Sequence, residues 1–158
     1  MRAFLTVLCG LVLSTAAFAE DNAGNVTAAD PASVVKALQD YGLAAKLGKS
    51  NSGAPMIDTK VEGLFSTVYF FDCDDQKANC QDISFEAIFS EKKDYPVELA
   101  NDWNYDNRFA MSYRNKDGSI ALVMDVNLDK GGVSPAYFED MLNWWDDSLV
   151  RFKKHIDY

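Results

Sequence analysis

The chain has 158 residues and a formal charge of −9, with 24 acidic side chains against 15 basic ones. An acidic balance of that size speaks against nucleic acid or an anionic membrane surface as a partner. The length suits one domain around one core.

Residues 1–19 have the three parts of a secretory signal: Arg2 as the positive start, Ala3 to Leu13 as the apolar stretch, and Ala17-Phe18-Ala19 as a small-x-small cleavage site. The apolar stretch is shorter than the roughly 20 residues a bilayer requires, so no membrane anchor is expected after cleavage. Cys9 lies inside this leader, but Leu8 precedes it where a lipid-modified cysteine would want a small residue. Losing Arg2 takes the formal charge from −9 to −10. The mature chain is expected in the periplasm or outside the cell.

Residues 20–29 are small and polar and read as a flexible lead-in; residues 30–158 read as a single domain. Asp30-Pro31 should open a helix, carried by Val34, Val35, Leu38 and Tyr41 and stopped by Gly42. Leu43 to Leu47 and Met56 to Val61 read as strands around the turn Ser50-Asn51-Ser52-Gly53. Leu64 to Asp72 is apolar at both parities, with Leu64, Val68 and Phe70 against Phe65, Tyr69 and Phe71. That pattern predicts a central strand covered on two sides. Ile83 to Phe89 alternates cleanly, with Ser84 and Glu86 facing the other way.

Asp94 to Asp106 is expected to be a helix holding Val97, Leu99, Ala100 and Trp103. Two more strands flank the turn Asn115-Lys116-Asp117-Gly118. Phe109, Met111 and Tyr113 line one face of the first; Ile120, Leu122, Met124, Val126 and Leu128 line one face of the second. Ser134 and Pro135 open the last helix, with Phe138, Met141, Leu142, Trp145, Leu149, Phe152 and Ile156 along one stripe. The order α-β-β-β-β-α-β-β-α implies an α+β domain: an antiparallel sheet of about six strands packed by three helices.

Cys73 and Cys80 lie between the third and fourth strands. In an oxidising compartment, an even pair in the mature chain predicts a disulfide, against two free thiols in a loop. The spacing is not C-x-x-C, and Asp72, Asp74 and Asp75 would raise a thiol pKa, so the bond reads as a staple rather than a redox centre. Asp125, Asn127 and Asp129 imitate the opening of a calcium loop, but Lys130 and Ala136 occupy the positions that need glycine and glutamate. Asp72, Asp74, Asp75 and Asp82 meet no metal spacing rule. His155 is the only histidine, which leaves no zinc cluster and no serine–histidine pair. No cofactor, metal or catalytic residue is expected, although an unpatterned carboxylate pair remains a third-ranked enzyme reading. Tyr137 and Trp144 flank the core stripe of the last helix and are either extra core or a partner surface.

The segment Val97 to Ile156 resembles the YbjN family of bacterial sensory-transduction regulators. The likeness rests on Asp102-Trp103-Asn104 ahead of Arg108-Phe109, Met124-Asp125-Val126-Asn127-Leu128, Gly131-Gly132-Val133 and Trp144-Trp145. Val68-Tyr69-Phe70-Phe71-Asp72-Cys73 with Cys80 is similar to the family's exported branch. The resemblance implies a fold like that of type III secretion chaperones, often dimeric, with no established catalytic residue or cofactor. Within the matched motif, Trp103 should anchor the second helix to the sheet, Asn104 should close that helix, and Arg108 should start the following strand.

The sequence thus supports a non-enzymatic exported domain that binds a protein partner or itself through the sheet and the last helix. The alternative is a small-molecule or sugar-binding module using an aromatic cleft.

Overall fold

A computed structural model describes residues 24–91 and 94–158. The expected leader, with Cys9, and residues 20–23 of the lead-in lie outside the described residues. Helix α1 (Pro31–Asp40) begins where Asp30 accepts a hydrogen bond from the Ala32 amide, and its buried face is Val34 and Leu38. The strands are β1 (Ala45–Lys49), β2 (Pro55–Val61), β3 (Leu64–Phe71) and β4 (Asp82–Phe89). Helix α2 (Val97–Asp106) follows, then β5 (Met111–Arg114), β6 (Ile120–Asn127) and α3 (Pro135–His155). The six strands form one antiparallel sheet ordered β1-β2-β3-β4-β6-β5. The predicted α+β order is the observed one.

The helices cover one face of this sheet. Along α3, Phe138, Leu142, Trp145, Leu149 and Phe152 are buried, and their rings meet the inward aromatics of β4. Phe85 lies 6.3 Å from Phe138 and 5.7 Å from Trp145, while Phe89 lies 5.3 Å from Phe152. Such tilted aromatic contacts add to the burial that drives the layer together. Trp103 fastens α2 to α3 by meeting Phe152 edge-on at 5.0 Å.

The other face is open, which corrects the expectation of a doubly covered third strand. Leu64, Ser66, Val68 and Phe70 turn toward the helices, but Phe65 is 77% exposed and Phe71, at the other end of the strand, is exposed too. The apolar residues at both parities reflect an aromatic outer face rather than a second packed layer. Ile88, Met111 and Tyr113 extend that outer face across the sheet and shield Ala121 and Val123.

Residues 24–29 also depart from expectation. Val26 pairs with Val133 through backbone bonds of 2.9 and 3.1 Å, and Val26 and Ala28 are buried. Polar composition concealed two small apolar anchors. Gly132 permits this docking: at φ +74, a Cβ there would lie 2.2 Å from the Val26 carbonyl oxygen.

Cys73 and Cys80 form a disulfide across the β3–β4 connection. Within it, Asp74 accepts from the Ala78 amide and the Asn79 side chain, and these hydrogen bonds, chiefly the Ala78 one, hold its carboxyl below the usual range.

Candidate partner-binding cleft

Strand β5 has four residues and β6 has eight, so among the described residues half of β6 lacks a neighbour on that side. The pairing stops at Met111–Val123. Two bonds from α2 and its end, and one from α3, pull the preceding chain away. Trp103 Nε1 donates to the Ala110 carbonyl at 2.9 Å, and Asn107 Nδ2 donates to the Trp103 carbonyl at 3.0 Å. Arg151 then donates to Asn107 Oδ1 at 2.9 Å, tying the same loop to α3. Phe109 makes the departure at φ 74, a strained backbone for a bulky residue.

The direction of the free main chain follows from Asn104. Its Nδ2 donates to the Ser112 carbonyl at 2.9 Å, and its Oδ1 accepts from the Ser112 amide at 2.7 Å. Ser112 therefore points its backbone away from β6, so the hydrogen-bonded pairs are Met111–Val123 and Tyr113–Ala121. Alternation along β6 then turns the main-chain groups of Asp125 and Asn127 toward the vacated side. The Leu128 amide agrees, donating to Gln81 on the β4 side at 2.9 Å.

A cleft of about 340 Å³ occupies that side. Its walls are Phe109 and, along α3, Tyr137, Met141 and Trp144; Asp125 and Asn127 form the sheet margin. The Phe109 and Trp144 rings lie 4.0 Å apart and are tilted by 40°. Tyr137 is 55% exposed and Trp144 39% exposed, so neither is core. Asp125 is exposed and has no ion pair or hydrogen bond among the described residues. Below the cleft, Asp82 pairs across the strands with Asn127. Desolvation first, then the neighbouring Asp72, raises the Asp82 carboxyl above its usual range. An adjoining recess lined by Arg108, Phe109 and Met111 also reaches Asp125. Farther along the open face, the Tyr113 hydroxyl donates to Glu86 Oε2 at 2.8 Å.

Two expected roles change. Asn104 does not close α2; it clasps the edge of β5, while Asn107 ends the helix by donating its amide to the Trp103 carbonyl. Arg108 does not start a strand; it sits in the loop, accepting from the Ala110 amide three residues before β5. Trp103, expected to anchor α2 to the sheet, meets Phe152 of α3 and donates to the Ala110 carbonyl just before β5. In the imitation calcium loop, Lys130 lies 2.6 Å from the Asp129 carboxylate, which lowers the Asp129 pKa. Phe109 and the Asp125–Asn127 margin were missed. The unequal lengths of the last two predicted strands were the available signal.

The architecture is that of an antiparallel sheet backed by helices on one face, with an aromatic cleft at a strand margin. Residues 30–157 match the family model YbjN, described as "Putative bacterial sensory transduction regulator". The chain belongs to the YbjN family. None of the curated proteins searched matches it. The family assignment supports a regulatory or binding role rather than catalysis.

Proposed function

We propose that this chain is an exported, non-enzymatic domain that binds a protein partner or a second copy of itself, in a regulatory or chaperone-like role. The carrying observation is the cleft, in which Tyr137, Trp144 and Phe109 stand solvent-exposed beside unpaired strand groups. Exposed tryptophan and tyrosine in a recess are the residues that most often anchor protein interfaces. The leader-like start and the disulfide support export, because such bonds persist outside the reducing cytosol. The test is a photo-crosslinking residue placed at Trp144 in the native host, with Tyr105 on α2 as the control position. Adducts formed from Trp144 alone support the reading; equal or absent adducts defeat it.

The cleft volume, at the small end of the range for ligand pockets, supports a second reading as a small-molecule or sugar-binding module. Saturable quenching of tryptophan fluorescence by a periplasmic small-molecule extract, abolished by Trp144→Phe, would favour it over the first.

A further inference from the structure

We infer that the Asp125–Asn127 margin of β6 takes an extended segment of a partner protein as an added strand, one in which basic and apolar residues alternate. The inference deepens the binding reading above and rests on it. The margins of the sheet differ in their defences. β1 carries Lys46 and Lys49, and charged edge residues are the usual guard against strand pairing. β5 has its Ser112 groups held by Asn104. Among the described residues, the β6 margin has neither lysine, proline nor a side-chain clasp over its cleft-facing groups.

A strand laid there would prolong the line of β5 and repeat its facing. Residues opposite Asp125 and Asn127 would share their outer face, and residues opposite Met124 and Val126 would turn inward. The inward side chains would meet Tyr137, Met141 and Trp144, which stand at positions i, i+4 and i+7 of α3. That ridge runs about 10 Å along the helix, the rise of about three strand residues. The outward side chains would meet the uncompensated carboxylate of Asp125; Asp82, beyond Asn127 on β4, adds negative charge two strands away. Charge selects lysine or arginine there, and the ridge selects apolar residues between them. Arg108, bordering the adjoining recess, marks the end where a basic residue no longer fits.

The test titrates the ¹⁵N-labelled chain with a capped hexapeptide of alternating lysine and leucine, and with the same residues in blocked order. Saturable binding by the alternating peptide at or below about a millimolar, with shifts at the Asp125 and Asn127 amides, is expected. N-methylation of the lysine amides should weaken it at least about tenfold, because those groups would make the ladder bonds. Asp125→Asn should weaken it about two- to fivefold. Equal binding by the blocked or N-methylated peptide, shifts confined to β1 or the open face, or no saturation overturns the inference. A failed titration beside intact Trp144 crosslinking refutes strand addition alone. Normal peptide binding without crosslinks upholds the site and refutes the partner reading.

Discussion

Replacing Asn104 by aspartate changes one end of a two-bond clasp and little else. The side chain keeps its length and an acceptor for the Ser112 amide, now at 2.7 Å, but loses the donor that reaches the Ser112 carbonyl at 2.9 Å. Helix propensities of the two residues are close, so α2 itself is nearly unaffected. One net hydrogen bond is worth about 0.5–1.5 kcal/mol, and a carboxylate oxygen facing a carbonyl adds repulsion. Because Asn104 is exposed and water offers partial replacement, the expected loss is about 1–2 kcal/mol near neutral pH. The facing carbonyl raises the new carboxyl's folded-state pKa above its ordinary value of about 3.9. The protonated form regains a donor, so the deficit is full at neutral pH and closes as pH falls through that raised pKa. Urea unfolding followed by circular dichroism, variant against wild type at each pH, measures it. A difference below about 0.3 kcal/mol at neutral pH, or one that does not shrink on acidification, refutes the clasp.

Other outcomes follow from the same structure. Cys73→Ser with Cys80→Ser opens a loop of sequence separation 7, and thermal unfolding should report a loss of about 2.5 kcal/mol on chain-entropy grounds. Gly132→Ala forces a methyl against the Val26 carbonyl; amide exchange at Val26 and Val133 should accelerate while the sheet core keeps its protection. Burial first, and then the Glu86 carboxylate, pushes the Tyr113 phenol up to about 12. Because that folded value exceeds the ordinary 10.0, the Tyr113 contribution holds below the latter and is lost as pH rises through the former. Tyr113→Phe should remove that late step from the ultraviolet titration.

Element order was legible because each element carries its own period. The α3 stripe from Phe138 to Ile156 and the β4 alternation from Ile83 to Phe89 admit one facing each. The first helix was legible from Asp30-Pro31, and the β5–β6 turn from Asp117-Gly118. β3 misled because Phe65, Tyr69 and Phe71 are as apolar as its buried residues, and hydrophobicity alone does not say whether a helix layer lies on each face. The roles of Asn104 and Arg108 depend on where the Trp103 indole pulls Ala110, a contact between residues seven apart that no local pattern records. The cleft was half visible: Tyr137 and Trp144 stood off the core stripe, but Phe109 joins them only through its positive φ.

Amide hydrogen exchange along β6 tests the open margin most directly. In the free chain, the Asp125 and Asn127 amides should exchange quickly while Met124 and Val126, bonded toward β4, stay protected. Adding the crosslinked partner's segment should slow the first pair and leave the second unchanged. Uniform protection along the strand before any partner is added would show that the margin is already closed and would contradict the account.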